Sequence, residues 1–544
     1  MDNLMQPFSL RVSEILDHAA RYHPRRKIIS RNVEGPIVET NWSSVRTKAK
    51  KLSKALQKLD IKKGDRIGVM AWNTARHLEL WYGIPGSGAI NHTLNPRLFI
   101  KQLTYIINHA EDKILMVDLD LIKILEEILP TCKTVKHAII LTDEANMPTS
   151  NSPNLICYEE LVANEDSDFE WVNGHETEAC GICYTSGTTG NPKGVVYTHR
   201  SNVLHALTSA TPDMINLSST DRIMPVVPLF HANGWSIGYT APLVGASMVM
   251  PGKEMTPEAL YEMLEKGVTV TAAVPTIWLL LLNYLKEKKL KLSSLKRVII
   301  GGSSCPKAVI ESFQKDFGVQ VLHAWGMTEM SPLGTICSFK PEVLKLSEEE
   351  KISVQETTGH PPFTVELKLT DDNGNQLKND GETQGKLWAR GAAVVQKYLK
   401  FDEKAVDNDG WFDTGDVATI DENGYMSITD RSKDIIKSGG EWISSIELEN
   451  AAVGHPKIVE AAAIGVFHPK WDERPILVVV CEKGTRVKEK EITDFMSGYV
   501  AKWQIPDDII FVDEIPHTAT GKISKMGLRK ILENQNYQHP DIQQ

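Results

Sequence analysis

The sequence has no excess of positive charge. Its 60 lysines and arginines are outnumbered by 70 aspartates and glutamates, which gives a formal net charge of -10 over 544 residues. An acidic chain of this kind is a poor partner for nucleic acid or for an anionic membrane surface. We therefore expect its partners to be small molecules.

Cysteines are few and odd in number: seven stand in a long chain with no recognisable signal peptide. This usage argues against a disulfide framework and indicates reduced thiols in the cytoplasm. Cys180 and Cys183 form a C-x-x-C pair, a spacing that zinc and redox sites also use. No second pair lies near it and the surrounding ACGICY is apolar, so we interpret both residues as core.

Long uncharged runs are also scarce. One stretch of near-membrane length, VTVTAAVPTIWLLLLNYL at 268–285, is divided by Pro275 into a β-branched half and a leucine-rich half. Proline is well tolerated in the first turn of a helix but not in its interior. The stretch therefore predicts a buried strand followed by a helix, and no integral membrane segment is expected.

What the chain does have is the composition of a globular protein, with 42% hydrophobic and 24% charged residues, and enough length for more than one domain. Helical spacing alternates with short apolar strands such as KILMVD, SMVMPG and RVIIGGSS, each ending in turn or polar residues. This alternation predicts an α/β fold whose ligands bind at the carboxyl ends of the strands.

The sequence pattern changes at about 350–430. Glycine and aspartate there separate short strands, which predicts a β-rich subdomain of hairpins. Helices and strands resume afterwards, enough for a compact terminal domain. The predicted architecture is a large N-terminal α/β domain at 1–431, including the β-rich subdomain, and a small mobile α+β C-terminal domain at 432–544.

The stretch YTSGTTGNPKGV, 184–195, combines three glycines, short hydroxyl side chains and one lysine directly after an apolar strand. Glycines let backbone N–H groups point inward, and the hydroxyl and ammonium donors add to them, so the loop is suited to phosphate. Its spacing differs from the P-loop pattern G-x-x-x-x-G-K-[ST]. The alternative is a flexible surface turn.

Four later stretches carry side chains suited to nucleotide and carboxylate chemistry. They are AWGMTEMSP at 324–332, WFDTGD at 411–416, DRSKDIIKSGGEWIS at 430–444 and HTATGKISK at 517–525. The first combines an indole, a hydroxyl and a carboxylate, the second ends in an aspartate suited to ribose hydroxyls, and the last two carry lysines among small residues. Each alone has a plain alternative, such as a helix cap, an exposed basic turn or a solvated lysine.

Together, in this order and spacing, the five stretches resemble those of the AMP-forming adenylate superfamily, which includes acyl-CoA synthetases, luciferases and adenylation domains of peptide synthetases. The resemblance covers about residues 10–535. DHAARYH, WYGIPGSGAINHTLNPRL and PLFHANGWSIGYTAPLVGASMVMPG are closer to the medium-chain fatty-acyl-CoA ligase branch, which includes 3-methylmercaptopropionate-CoA ligases. The resemblance implies ATP, Mg²⁺ and CoA: a carboxylate attacks the α-phosphorus of ATP, and a thiol then displaces AMP.

The resemblance also implies individual roles. The residues expected to bind ATP or AMP are Thr185, Ser186, Gly187, Thr188, Thr189, Gly190, Lys193, Ala324, Trp325, Gly326, Met327, Thr328, Asp416, Arg431 and Lys522. The expected catalytic residues are Thr185, Lys193, Glu329 and Lys522, with Glu329 as the Mg²⁺ ligand. The small domain would rotate about Lys433 and bring a CoA-side loop to the site, with residues Lys437, Gly439, Gly440, Glu441 and Trp442.

The acyl pocket is expected at PLFHANGWS, 228–236, where amino-acid-activating relatives carry an aspartate and this chain has no acid. An uncharged acyl chain is therefore favoured. Trp235 would shorten a tunnel and so predicts short- to medium-chain acids, the alternative being ordinary core packing. His231 either gates the pocket or pairs with backbone groups, and Gly302 and Ser303 complete the predicted lining.

The acceptor is expected to be free CoA, because the 22 residues after Lys522 are too few for a carrier-protein domain. Transfer to a separate carrier protein, luciferase-type oxidation and a non-catalytic nucleotide-binding regulator remain alternatives. The presence of Lys193, Glu329 and Lys433 together with Lys522 weighs against the regulator. The acid, the pathway and the oligomeric state stay open, with a homodimer as one alternative.

Overall fold

The computed structural model describes residues 4–150, 152, 154–185, 191–439, 441–482, 484–485, 487–518, 522–535 and 537–540. Within these ranges the chain forms four β-sheets and fifteen α-helices. In the same ranges, no helix combines the length and the apolar character that a membrane crossing requires.

The strands of the two larger sheets, β1 to β15, are Lys27–Arg31, Ile37–Asn41, Arg66–Met70, Ile90–Thr93, Ile114–Asp118, His137–Leu141, Leu155–Cys157, Ala179–Tyr184, Gly194–Thr198, Arg222–Pro225, Ser247–Met250, Val270–Ala273, Arg297–Gly301, Gln320–Gly326 and Leu333–Ile336. The strands of the two smaller sheets, β16 to β24, are Val365–Thr370, Gly385–Gly391, Phe412–Ile420, Met426–Arg431, Ile436–Ser438, Glu441–Ile443, Ile458–His468, Asp472–Cys481 and Asp508–Phe511.

The helices α1 to α15 are Val12–Tyr22, Trp42–Lys58, Ala75–Gly86, Ile100–Ala110, Ile122–Ile128, Tyr158–Ala163, His199–Ser209, Ile237–Val244, Pro257–Leu264, Pro275–Lys288, Lys307–Glu311, Glu348–Glu356, Ser445–Val453, Glu489–Met496 and Lys525–Asn534. The predicted strand and proline-started helix at 268–285 are confirmed as β12 and α10, with Pro275 in the first helical turn. Cys180 and Cys183 are buried free thiols in β8, as predicted.

The two large sheets are mainly parallel. One has the strand order β7-β6-β5-β3-β4-β8-β9 and the other β15-β14-β13-β12-β10-β11-β1-β2, and antiparallel pairs occur only at edges within the described residues. Helices α1, α3, α7 and α8 pack on one face of the second sheet, and α9, α10 and α11 pack on the other. Because both faces are covered, the strands consist of nearly continuous apolar residues.

The two smaller sheets follow in the chain. Strands β16 to β19 form an antiparallel meander, and β20 to β24 form a mixed sheet with α13, α14 and α15 around it. The predicted fold class, α/β sheets followed by a β-rich part and a small α+β unit, is confirmed. The precise boundary at 431 and 432 stays a prediction.

Candidate active site

The carboxyl ends of three parallel strands bring separate motifs to one region. β8 ends one residue before Thr185, β13 ends one residue before Gly302, and β14 ends two residues before Thr328. β8 belongs to the seven-stranded sheet, and β13 and β14 belong to the eight-stranded sheet. The carboxyl edge of an open α/β sheet is where connecting loops leave the sheet and ligands bind. Ligand binding at these strand ends stays a prediction.

The described ends of the glycine-rich loop are held together by two hydrogen bonds. The N–H of Thr185 donates to the carbonyl of Lys193 at 2.9 Å, and the N–H of Lys193 donates to the Thr185 hydroxyl at 3.3 Å. The Lys193 ammonium lies 4.8 Å from the centre of the Tyr398 ring. Ser186, Gly187, Thr188, Thr189 and Gly190 lie outside the described residues, so their phosphate contacts stay predictions.

Glu329 lies in a short 3-10 turn, Thr328–Met330, directly after β14. Its side chain is buried, and Oε1 accepts a hydrogen bond from the Tyr398 hydroxyl at 2.9 Å. The Tyr197 hydroxyl donates to the carbonyl of Thr328 at 2.7 Å. Two tyrosines therefore fix the turn that carries the predicted metal ligand. Met327 precedes this turn as its N-terminal flanking residue.

Burial raises the pKa of Glu329, while the Tyr398 hydrogen bond and the charges of Arg431 and Lys193 act in the opposite sense. Among the described residues, no three His, Cys, Asp or Glu side chains form a group that could hold a metal ion. A site with one carboxylate nevertheless fits Mg²⁺, which is commonly bound by one or two carboxylates and the phosphates of the substrate.

Asp416 and Arg431 are opposite each other in the register of β18 and β19. Arg431 Nε lies 2.9 Å from Asp416 Oδ1, and the indole N–H of Trp325 donates to Oδ2 at 2.9 Å. Burial raises the pKa of Asp416, although the guanidinium opposes this shift. Ala324 and Gly326 flank Trp325 in β14. The hydrogen bond from Trp325 to Asp416 connects β14 to the four-stranded sheet.

The ring of Trp325 is 8% exposed and packs in the core of the four-stranded sheet. The ring also lies close to Gly334, where a Cβ would be 2.5 Å from Trp325 Cζ3. In the structure, Trp325 therefore positions Asp416. Its contact with adenine stays a prediction.

Lys522 comes from the C-terminal unit and enters this region. A Cβ on Gly302 would lie 3.9 Å from Lys522 Cε. Burial, followed by the charge of Arg431, lowers the pKa of Lys522 to about 8, while Asp416 acts in the opposite sense. Burial and then Lys522 itself lower the pKa of His231 to about 4, so His231 is neutral at physiological pH.

The predicted acyl-pocket stretch contains a left-handed turn in which residues 232–236 all have positive φ. The turn directs the Trp235 ring against β13, where a Cβ on Gly301 would lie 3.2 Å from Trp235 Cη2. The same ring packs on the hydrophobic core, so it borders both the core and the strand end. Gly302 and Ser303, which follow this strand end, are exposed.

The predicted CoA-side residues form a hairpin of the terminal sheet. Lys437, Gly439 and Glu441 are exposed and Trp442 is half-buried, while Gly440 lies outside the described residues. The N–H of Gly439, which has φ +61°, donates to a backbone carbonyl of the same unit at 2.7 Å. Their role toward CoA therefore stays a prediction, as does the hinge role of Lys433.

Sequence reasoning missed two site residues, Tyr398 and Tyr197. Tyr398 is separated from its partner Glu329 by 69 residues, and Tyr197 is separated from Thr328 by 131. The residues around each tyrosine form no sequence motif that would indicate its hydrogen-bond partner. Only the pairing of the sheets brings them to the turn.

The fold, with a buried carboxylate and several cations at the strand ends, is that of an adenylate-forming enzyme. The family described as AMP-binding enzyme matches residues 16–399, and the AMP-binding enzyme C-terminal domain matches residues 447–522. The chain belongs to the AMP-binding enzyme family, as the motifs predict.

Its relatives include several CoA ligases. The chain is 49% identical over 521 residues to 3-methylmercaptopropionyl-CoA ligase of Ruegeria lacuscaerulensis, covering 96% of this chain and 97% of the relative. It is 46% identical to medium-chain-fatty-acid–CoA ligase of Ectopseudomonas oleovorans, with 95% of each chain covered. The crystal structure of anthranilate CoA ligase AuaEII with anthranoyl-AMP shares the fold, with a TM-score of 0.86, 24% identity and coverage of 98% and 99%.

Proposed function

We propose that this protein converts a short- to medium-chain carboxylic acid into its CoA thioester through an acyl-AMP intermediate, consuming ATP and releasing pyrophosphate and AMP. The observation that carries the proposal is that Lys522 of the C-terminal unit lies at the end of β13, where a Cβ on Gly302 would be 3.9 Å from Lys522 Cε, within electrostatic range of Arg431 and Asp416. The names of the relatives, which are acyl-CoA ligases, support the same reaction.

The first step joins two anions, so its barrier is mainly electrostatic. A carboxylate oxygen attacks the α-phosphorus of ATP, and the bond to pyrophosphate breaks. Negative charge develops on the phosphate oxygens, and cations fixed in a water-poor site stabilise it without reorganisation. Lys193, Arg431 and Lys522 are the cations that we assign to this step, and Lys522 is proposed to bridge the acid and the α-phosphate.

The remaining roles follow the same chemistry. Thr185 and the glycine-rich loop bind the β- and γ-phosphates, Thr328 contacts the α-phosphate, and Asp416 with Arg431 binds the ribose. Glu329 holds Mg²⁺, which when bound neutralises phosphate charge. The Tyr398 hydroxyl orients the carboxylate of Glu329 for this contact, because it binds one of its two oxygens.

In the second step the thiol of CoA attacks the acyl carbon, AMP leaves, and the thiol proton is released. Lys433 serves as the hinge between the two steps, and the hairpin with Lys437, Gly439 and Trp442 then faces the site. The seven cysteines are free thiols, which fits the reducing conditions of the cytoplasm. A homodimer is compatible with this reaction, which needs only one chain.

The acid is proposed to be uncharged beyond its carboxylate. The stretch PLFHANGWS has no carboxylate that could pair with an amino group of the acid, and His231, whose pKa burial lowers to about 4, is neutral at pH 7. Trp235 stands against the strand end and limits the length of the acyl chain. A thioether acid such as 3-methylmercaptopropionate and a straight-chain acid differ little in size, and a hydrophobic pocket distinguishes chains by only about 1–3 kcal/mol per methylene.

The test of this function is AMP and pyrophosphate release with ATP, Mg²⁺ and CoA against acids from acetate to decanoate, 3-methylmercaptopropionate and amino acids. The expected result is a maximum at short to medium chain length or at the thioether acid. Pyrophosphate release without CoA-dependent AMP turnover would point to a carrier protein as acceptor. Nucleotide binding without turnover of any acid would overturn the proposal in favour of a regulator.

A separate prediction concerns Lys522. Lys522→Ala should abolish acyl-AMP formation, because the bridging cation is lost, but spare thioester formation from supplied acyl-AMP. Pyrophosphate release from ATP and hexanoate measures the first step, and hexanoyl-CoA formed from hexanoyl-AMP measures the second. An equal loss of both steps would contradict the assigned role.

A further inference from the structure

Helix α15 begins three residues after Lys522. Two of its cationic side chains face the segment that joins the N-terminal part of the chain to the C-terminal unit. Lys525 is its first residue and Arg529 follows one turn later, so both side chains lie on the same face. The segment they face, 430–434, contains the last residues of β19 and the predicted hinge Lys433. This arrangement lies outside the roles assigned above.

Lys525 connects to the segment through a buried polar cluster. Its ammonium lies 2.8 Å from Oε1 of Glu449 and also donates to the hydroxyl of Ser445. The N–H and the hydroxyl of Ser445 both donate to Oδ2 of Asp430, each at 2.6 Å. Lys525 is therefore linked through one serine to a residue that belongs to the four-stranded sheet.

The cluster is largely buried. Ser445 is fully buried, Asp430 is 1% exposed, and the side chains of Lys525 and Glu449 are 11% and 15% exposed. Burial raises the pKa of both carboxyl groups, and Lys525 opposes the shift in each case. Removing the ammonium would leave two buried carboxylates without their shared counter-charge, which is costly in a buried site.

Arg529 forms a second connection to the same segment. Its guanidinium lies 2.7 Å from Oδ1 of Asp434, the residue directly after Lys433. Two acidic residues, one on each side of Lys433, are thus connected to cations of a single helix: Asp434 directly to Arg529, and Asp430 to Lys525 through Ser445. The ion pair of Arg529 lies within the C-terminal unit, whereas the contact of Asp430 with Ser445 crosses from one unit to the other.

Lys522 is joined to this helix by Ile523 and Ser524 alone. The N–H of Thr518 donates to the carbonyl of Lys522 at 2.7 Å, and the N–H of Ser524 donates to the carbonyl of Pro516 at 2.7 Å. Ser524 also caps α15 through its hydroxyl. A shift of Lys525 is therefore transmitted to Lys522 across only two residues.

We propose that Lys525, through Ser445 and Asp430, is a positioning residue that holds Lys522 in the site for acyl-AMP formation and has no part in thioester formation. The inference deepens the proposed function and rests on it. In this inference, the contact between Asp430 and Ser445 holds the small unit in the orientation that acyl-AMP formation needs. The second step does not use Lys522, so it does not depend on this contact.

The test compares Lys525→Met with Lys530→Met, an exposed lysine on the same helix. Acyl-AMP formation from ATP and hexanoate should fall about tenfold to hundredfold in Lys525→Met, as expected for a displaced catalytic group. Thioester formation from hexanoyl-AMP and CoA should stay close to wild type, and Lys530→Met should leave both steps unchanged. Lys525→Arg, which keeps the charge, should recover part of the first step.

Asp430→Asn provides a second variant on the other side of the contact, should Lys525→Met fail to fold. The amide keeps the shape of the side chain and removes its charge, so the first step should again fall more than the second. Parallel loss of both steps, or no loss beyond that of Lys530→Met, would overturn the inference. If Lys522→Ala also fails to separate the two steps, the proposed function itself is contradicted.

Discussion

Lys522 illustrates how a single side chain acquires its chemistry from its surroundings. Burial and the adjacent Arg431 lower the pKa of its ammonium from the ordinary value of 10.5 to about 8. The lysine is therefore close to losing its proton in mildly alkaline solution. A cation that must bridge two anions is useful only in its protonated form.

This pKa leads to a prediction about pH. The kcat/KM for ATP in acyl-AMP formation should fall as pH rises through about 8, because kcat/KM reports ionisations of the free enzyme. Lys522→Arg should remove this alkaline limb, since a guanidinium stays protonated, at the cost of a lower overall rate. The profile is measured by pyrophosphate release from pH 6 to 10. The same alkaline limb in Lys522→Arg would assign the ionisation to another group.

The individual residues also differ in how far the sequence identifies them. Lys193, Glu329 and Lys522 stand in motifs whose composition suits phosphate and carboxylate chemistry. Neighbouring residues in the sequence therefore indicate their chemical roles. The role of Tyr398 cannot be predicted in this way, because nothing near it in sequence indicates Glu329 as its partner. Its hydrogen bond to Glu329 depends entirely on the fold, which brings these two distant residues together.

At the scale of elements, the left-handed turn at 232–236 is the least expected feature. Left-handed backbone costs roughly 1–2 kcal/mol for each residue that has a side chain, and only one of these five is glycine. Surrounding contacts must therefore fix the turn, and one of them is the approach of Trp235 to Gly301. No sequence pattern in PLFHANGWS predicts five successive residues with positive φ.

The turn leads to a prediction about chain length. Trp235→Ala should shift the preferred acid to longer chains, because removal of the indole opens space at the end of β13. The measurement is kcat/KM for acids from butyrate to decanoate. Trp235→Phe, which retains a smaller ring, should give an intermediate preference. An unchanged optimum in Trp235→Ala would assign the ring to core packing alone.

Other elements follow directly from local pattern. Val45, Ala49, Leu52 and Leu56 recur at helical spacing, and all four are buried on one face of α2. Pro275 is the first residue of α10, and its fixed φ and missing N–H explain why the preceding strand does not continue. Such elements are predictable because residues a few positions apart decide them.

At the scale of the whole molecule, the proposed site combines residues from distant parts of the chain. The first sheet supplies Thr185, the second supplies Glu329, the four-stranded sheet supplies Asp416 with Arg431, and the C-terminal unit supplies Lys522. Lys437, Gly439 and Glu441 of the predicted CoA-side hairpin also belong to the C-terminal unit and are exposed. The same unit is thus proposed to serve both steps in turn.

This division predicts a variant with the opposite effect to Lys522→Ala. Gly440→Leu should lower thioester formation from supplied hexanoyl-AMP, because a side chain there would crowd the pantetheine path, while acyl-AMP formation stays near wild type. Gly498→Leu, at an exposed turn of the same unit, is the matched control. Thioester formation at the wild-type rate in Gly440→Leu would count against the loop assignment.

The sequence by itself determined the net negative charge, which favours small-molecule partners, the alternation of helices and strands, and the family. Composition, periodicity and motifs decide these features, and all three are local properties of the chain. Only the tertiary structure decided that Trp325 holds Asp416, that Tyr398 holds Glu329, and that Lys525 is connected to Asp430. These partners are separated by 69 to 95 residues. Their contact depends on sheet order and on the packing of two units, which no local pattern specifies.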